Sequence, residues 1–139
     1  MIVVVIIGVL AAVAIPNFLS MQRKARVGRT ASEMRSLSQA FVAYYASNGQ
    51  YPADSHLTLP AGMSEYINPA IWANGTPIGG TYNWEGPDSY PYAGLSIFPA
   101  DAAPVNELTM LDHMLDDGDL SQGNFRYGTN GRPTLIIEE

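Results

Sequence analysis

The chain has 139 residues, 47% of them hydrophobic and 14% charged, with a formal net charge of −6 and no cysteine. That length suits one domain with an appended segment and leaves no room for two cores. The missing cysteines exclude a disulfide framework and any cysteine metal site.

The first element is an uncharged apolar run, Met1 to Ile15 (MIVVVIIGVLAAVAI), closed by Pro16. Spanning a bilayer takes roughly 20 apolar helical residues, and a run of about 10 to 14 more often marks a core helix or a signal segment. Fifteen falls between the two. A removable signal would start with a basic segment, which is absent, although Ala11, Ala12 and Ala14 mimic a cleavage site. The helical pattern also resumes after Pro16 and continues to about Ser47, with Asn17 a candidate cap if the backbone breaks at the proline. Met34, Leu37, Phe41, Tyr44 and Tyr45 follow the i, i+3, i+4 spacing of one buried face, which predicts packing against a sheet. At about 1.5 Å per residue, Met1 to Ser47 reaches roughly 70 Å, so half of the helix must protrude. Asn48-Gly49 is a good left-handed terminator.

Residues 53 to 79 read as a connecting loop with a short helix near Met63 to Ile67. Thr81 to Glu85 and Tyr92 to Phe98 read as strands joined through Gly86-Pro87-Asp88-Ser89. Residues 106 to 116 form a second helix, apolar at Leu108, Leu111, Met114 and Leu115, with Gly118 as its stop. Asn124 to Tyr127 and Thr134 to Glu138 make a hairpin turning at Asn130-Gly131. The predicted fold is α+β: a long N-terminal helix packed on a small antiparallel sheet of about four strands. Its parts are a hydrophobic helix over 1–22, an amphipathic continuation over 23–48 and a globular head over 49–139.

The charge is divided along the chain. Residues 1 to 35 carry Arg23, Lys24, Arg26, Arg29 and Arg35 against Glu33, a net +4, whereas residues 36 to 139 carry −10. The basic cluster reads as a solvated helix face or as a contact for anionic lipid or nucleic acid.

The stretch Met1 to Arg23, MIVVVIIGVLAAVAIPNFLSMQR, closely resembles the N-terminal helix of the type IV pilin and type II secretion pseudopilin superfamily. The string NGQYP at residues 48–52 resembles the pattern that follows the long helix there. The resemblance implies a pilin-like fold and a mature start about six residues before Met1. That segment would hold a methylated phenylalanine and a glutamate two positions before Met1, bringing the apolar run to about 21 residues. It implies a structural subunit of a membrane-derived helical filament, with a type II secretion pseudopilus ahead of a type IV pilus because the domain is compact and has no disulfide loop. Expected partners are further copies in the filament, an inner-membrane assembly platform and minor pilins or pseudopilins; nucleic acid is not among them. The head would be extracytoplasmic, held at the inner membrane before assembly and in a periplasmic or extracellular filament afterwards. Gly8 and Pro16, with Ile15 and Phe18 beside the proline, mark where the stem is expected to loosen during assembly. Arg23, Lys24, Arg26 and Arg29 are the expected inter-subunit cations.

Chemistry is sparse. GxSxG, Walker A, GxGxxG and HExxH strings are absent, and His56 and His113 have no partner at a diagnostic spacing, so an enzyme is not expected. An aromatic carbohydrate-binding surface built from Tyr82, Trp84, Tyr90 and Tyr92 on an anchored module is the alternative function, with an anchored hydrolase third. Closely spaced aspartates around a glycine turn supply several of the oxygens calcium takes, which makes Asp116, Asp117 and Asp119 a candidate calcium set.

Overall fold

The computed structural model of the chain describes residues 1–139. Helix α1 runs over Ile2–Asn48, 47 residues, and passes through Pro16 without a break, so Asn17 lies inside the helix and caps nothing. It stops where the Asn-Gly pair predicts: Gly49 is left-handed at φ 75°, and its N–H donates to the Tyr45 carbonyl. Glycine takes that conformation without a Cβ clash.

The predicted stripe is real and longer than expected. Val27, Thr30, Ala31, Met34, Leu37 and Phe41 are buried along one side of α1. Tyr44 is half-buried and Tyr45 is exposed. Before Val27 no residue is buried, and only Ala11 is even partly covered. The helix therefore has a free stem followed by a packed half, and the core begins at Val27.

The segment after α1 is more ordered than a connecting loop. One 3₁₀ turn, Met63–Glu65, is followed by a short helix α2, Pro69–Asn74. Asn68 caps α2 by accepting from the Ala70 N–H at 3.0 Å, and Pro69 occupies the first helical position, where its missing N–H costs nothing. Trp72 then reaches the core, its indole N–H donating to the Leu57 carbonyl at 3.0 Å.

Strands β1 (Thr81–Glu85), β2 (Ala93–Phe98), β3 (Phe125–Tyr127) and β4 (Pro133–Glu138) form one sheet in the order β1-β2-β4-β3, with α3 (Val105–Leu115) between β2 and β3. Every neighbouring pair is antiparallel. The result is the expected long helix on a four-stranded antiparallel sheet, with element ends within a residue of the predicted ones. Alternation in β1 turns Tyr82 and Trp84 together toward α1. There Phe41 stacks on Trp84 with ring centroids 3.8 Å apart and planes 4° from parallel. Leu108 and Leu111 of α3 complete the same core.

Candidate assembly surface and acidic loop

From Ile2 to Gln22, α1 carries no charged residue. This part of α1 is about 30 Å long, which matches the hydrocarbon thickness of a bilayer. The helix is thus long and apolar enough to cross a membrane. Gly8, Ile15, Pro16 and Phe18 all lie on this stem, exposed and out of reach of the head. A Cβ added at Gly8 would meet nothing within 4 Å. An apolar surface of this extent marks a contact with lipid or with other protein.

The basic collar above the stem is mostly engaged within the chain. Arg26 donates to the Glu107 carboxylate of α3 at 3.2 Å, and Arg23 lies 3.6 Å from the same oxygen. The two arginine side chains are 54% and 46% exposed, while that of Glu107 is 5% exposed. Arg29 pairs with Glu33 at 3.0 Å, one helical turn away, and the second Glu33 oxygen accepts the Tyr82 hydroxyl at 2.7 Å. Burial, then the Glu33 carboxylate, pushes the Tyr82 phenol well above its ordinary value. Of the four expected inter-subunit cations, Lys24 is the one without an ion pair in its own chain.

The loop after α3 gathers carboxylates, though not the expected three. Asp112, Asp116 and Asp117 bring oxygens within 4.8 Å of one another. Asp112 sits on α3 with 0% exposure, and neither of its carboxylate oxygens has a hydrogen-bond partner. Burial raises its pKa, the nearby Gly118 amide opposes the shift, and the Asp117 and Asp116 charges add to it. Asp119 is turned elsewhere: its carboxylate accepts the Ser121 amide at 3.0 Å and the Ser121 hydroxyl at 2.6 Å. Those bonds hold its pKa below the usual value. The loop is tight around the cluster, because a Cβ at Gly118 would run into the His113 ring and one at Gly123 into the Asp116 carboxylate.

A hard divalent cation fits this donor set. Three carboxylates whose oxygens lie within 4.8 Å of one another supply several of the oxygen ligands calcium takes, and a buried carboxylate without a partner is costly unless it is protonated or paired with a cation. Asp112, Asp116 and Asp117 would hold such an ion, which would offset most of the cluster's negative charge and tie α3 to the loop. Asp119 is not part of that set.

The aromatic quartet does not form a surface. Tyr82 and Trp84 are fully buried core residues, with the Trp84 indole donating to the Pro52 carbonyl at 2.9 Å. Tyr92 is buried too, donating its hydroxyl to Glu85 at 2.8 Å; only Tyr90 is partly open. His56 is exposed beside Asn83, with its Nδ1 3.0 Å from the Asn83 Oδ1, and His113 is an exposed side chain of α3. Neither faces a nucleophile or joins the carboxylate cluster. Compared with family profiles, with curated proteins and with solved structures, the chain matches none.

Proposed function

We propose that this chain is a structural subunit of a membrane-derived helical filament. The observation that carries the reading is the split in α1: an uncharged stem with no buried residue, continuous with a helix whose other half is the spine of a folded head. Such a stem is stable in two settings, within a bilayer or against the stems of other copies. A subunit that passes from the first to the second assembles by that passage. Each copy would contact the next head-to-tail, through a heterologous interface that propagates instead of closing into a ring.

The resemblance of residues 1–23 and 48–52 to pilins and pseudopilins supports the same reading. The absence of cysteine favours a type II secretion pseudopilus over a type IV pilus. The head would lie outside the cytoplasm, and the assembly partners would be an inner-membrane platform and minor subunits. Stem and head suffice for this role without catalysis.

Electron microscopy of cells expressing the full-length protein tests the proposal. Helical fibres containing this chain are expected; protein that stays dispersed in the membrane under every assembly condition would overturn it.

A second element of the proposal rests on Asp112. Its buried, unpartnered carboxylate beside Asp116 and Asp117 is the reason to assign calcium to the loop after α3, as a structural ion that orders the approach to β3.

A further inference from the structure

Every cationic side chain except one is committed within the chain. Arg23 and Arg26 hold Glu107, and Arg29 holds Glu33. Arg35 donates to the Met114 carbonyl. Arg126 holds Glu139, while Arg132 lies 3.6 Å from Glu85 and over the Phe98 ring. With seven Lys and Arg in total, Lys24 is the remaining cation, exposed on the collar at the base of the head.

The opposite end of the head holds a matching site. A cleft of about 380 Å³ opens where α1 ends, lined by Tyr45, Tyr51, Tyr90, Tyr92 and Glu138 among others. Tyr45 and Tyr51 form one stacked pair, with centroids 4.6 Å apart; Tyr90 and Tyr92 form a second, at 5.7 Å. The Glu138 carboxylate lies beside the Tyr51 phenol, and burial together with that carboxylate pushes the phenol up to about 12. No Lys or Arg of the chain pairs with Glu138. Tyr92 is buried, so Tyr45, Tyr51 and Tyr90 are the open aromatic side chains of the cleft; aromatic rings beside a carboxylate that has no ion pair suit an alkylammonium group, attracted by the ring quadrupoles and by the charge.

We infer that the tyrosine-walled cleft at Glu138 receives Lys24 of a second copy of this chain. The two groups cannot meet within one molecule. Lys24 and Tyr45 lie 21 residues apart on the same continuous helix, about 30 Å along its axis. A donor at the base of the head and an acceptor at its tip make a contact that repeats from copy to copy along one direction. The charge division of the chain, +4 before Ser36 and −10 from there on, favours the same pairing. The inference rests on the filament reading and names one contact within it.

Zero-length carbodiimide cross-linking of assembled fibres, read by peptide mass spectrometry, tests it. A Lys24–Glu138 amide between copies is expected. Lys24→Gln, which removes the amine, should abolish that cross-link and reduce fibre formation, Lys24→Arg should lose the cross-link yet preserve fibre formation, and the charge swap Lys24→Glu with Glu138→Lys should restore what each single reversal loses. Tyr45→Ala should weaken the contact with the carboxylate left in place. Fibres that form normally, with Lys24 joined to other acids and indifferent to these changes, overturn the inference and leave the filament reading standing. If no fibres form from the unaltered protein, both fall.

Discussion

Removing the two partners of the collar ion pair one side at a time should have unequal consequences. The Glu107 carboxylate is buried, whereas the arginine heads it holds are about half exposed. Glu107→Gln leaves two cations that rehydrate freely, so the loss is that of a screened ion pair, about 0.5–1 kcal/mol. Truncating Arg23 and Arg26 together to alanine leaves a buried carboxylate with no cation. Breaking a fully buried pair from one side costs about 3–5 kcal/mol. Here Glu107 sits in the first turn of α3, where the helix dipole returns about 0.5 kcal/mol, and the site borders solvent. The double truncation should therefore cost about 2 kcal/mol. A soluble variant starting at Arg23 is a suitable host, because everything before Val27 is unburied. Urea unfolding followed by fluorescence of the buried Trp72 and Trp84 reports the difference. With a slope of about 2 kcal/mol per molar, the double truncation should move the midpoint by about 1 M and Glu107→Gln by less than half of that. Adding Glu107→Gln to the double truncation should recover part of the loss. Equal midpoints for Glu107→Gln and the double truncation would refute the argument from unequal burial.

Calcium added to the same soluble variant should release or absorb heat in a calorimeter and raise its melting temperature; Asp112→Asn should remove both responses, and Asp119→Asn should leave them in place. The head should also lose stability at alkaline pH. Tyr51 and Tyr82 have raised pKa values in the folded state, so above about pH 10 the unfolded chain gives up protons that the folded chain keeps, and stability falls as pH rises. Thermal melts between pH 8 and 11 check this, with Tyr82→Phe expected to flatten the dependence. Replacing Gly8 and Pro16 together by alanine stiffens the stem, since glycine disfavours helix by about 1 kcal/mol and proline removes a backbone hydrogen bond. That pair should slow assembly or stiffen the fibres, as judged by fibre counts and persistence length. Unchanged fibres would remove loosening of the stem from the mechanism.

Periodicity made the helical spine legible, because Met34, Leu37 and Phe41 repeat at the helical interval and each is buried. The Asn-Gly terminator of α1 and the turn residues that separate the strands were readable for the same reason: both are local. Helix α2 was hidden in a Pro- and Gly-rich stretch, although Asn68-Pro69 is a cap followed by the residue favoured at the first helical position. The acidic loop was half legible. Asp112 and Asp116 stand one helical turn apart, a spacing that places both on one face, yet burial of Asp112 depends on how α3 meets the core. Asp119 sits among acids in the sequence but is turned to Ser121 by the local chain. The aromatic quartet was misleading because Tyr82 and Trp84 share the face of β1 that packs on α1, which composition does not reveal. Nothing local announces that Glu107, 81 residues from Arg26, pairs with two of the four collar cations.

The central claim is that the exposed stem finds its partners in other stems. Helical reconstruction of fibres from cells expressing the full-length protein measures this directly. The account predicts stems packed together along the fibre axis, heads outward, and each Lys24 at the Glu138 cleft of a neighbouring copy. Fibres held together by the heads alone, with residues 1–22 outside the central bundle, would contradict it.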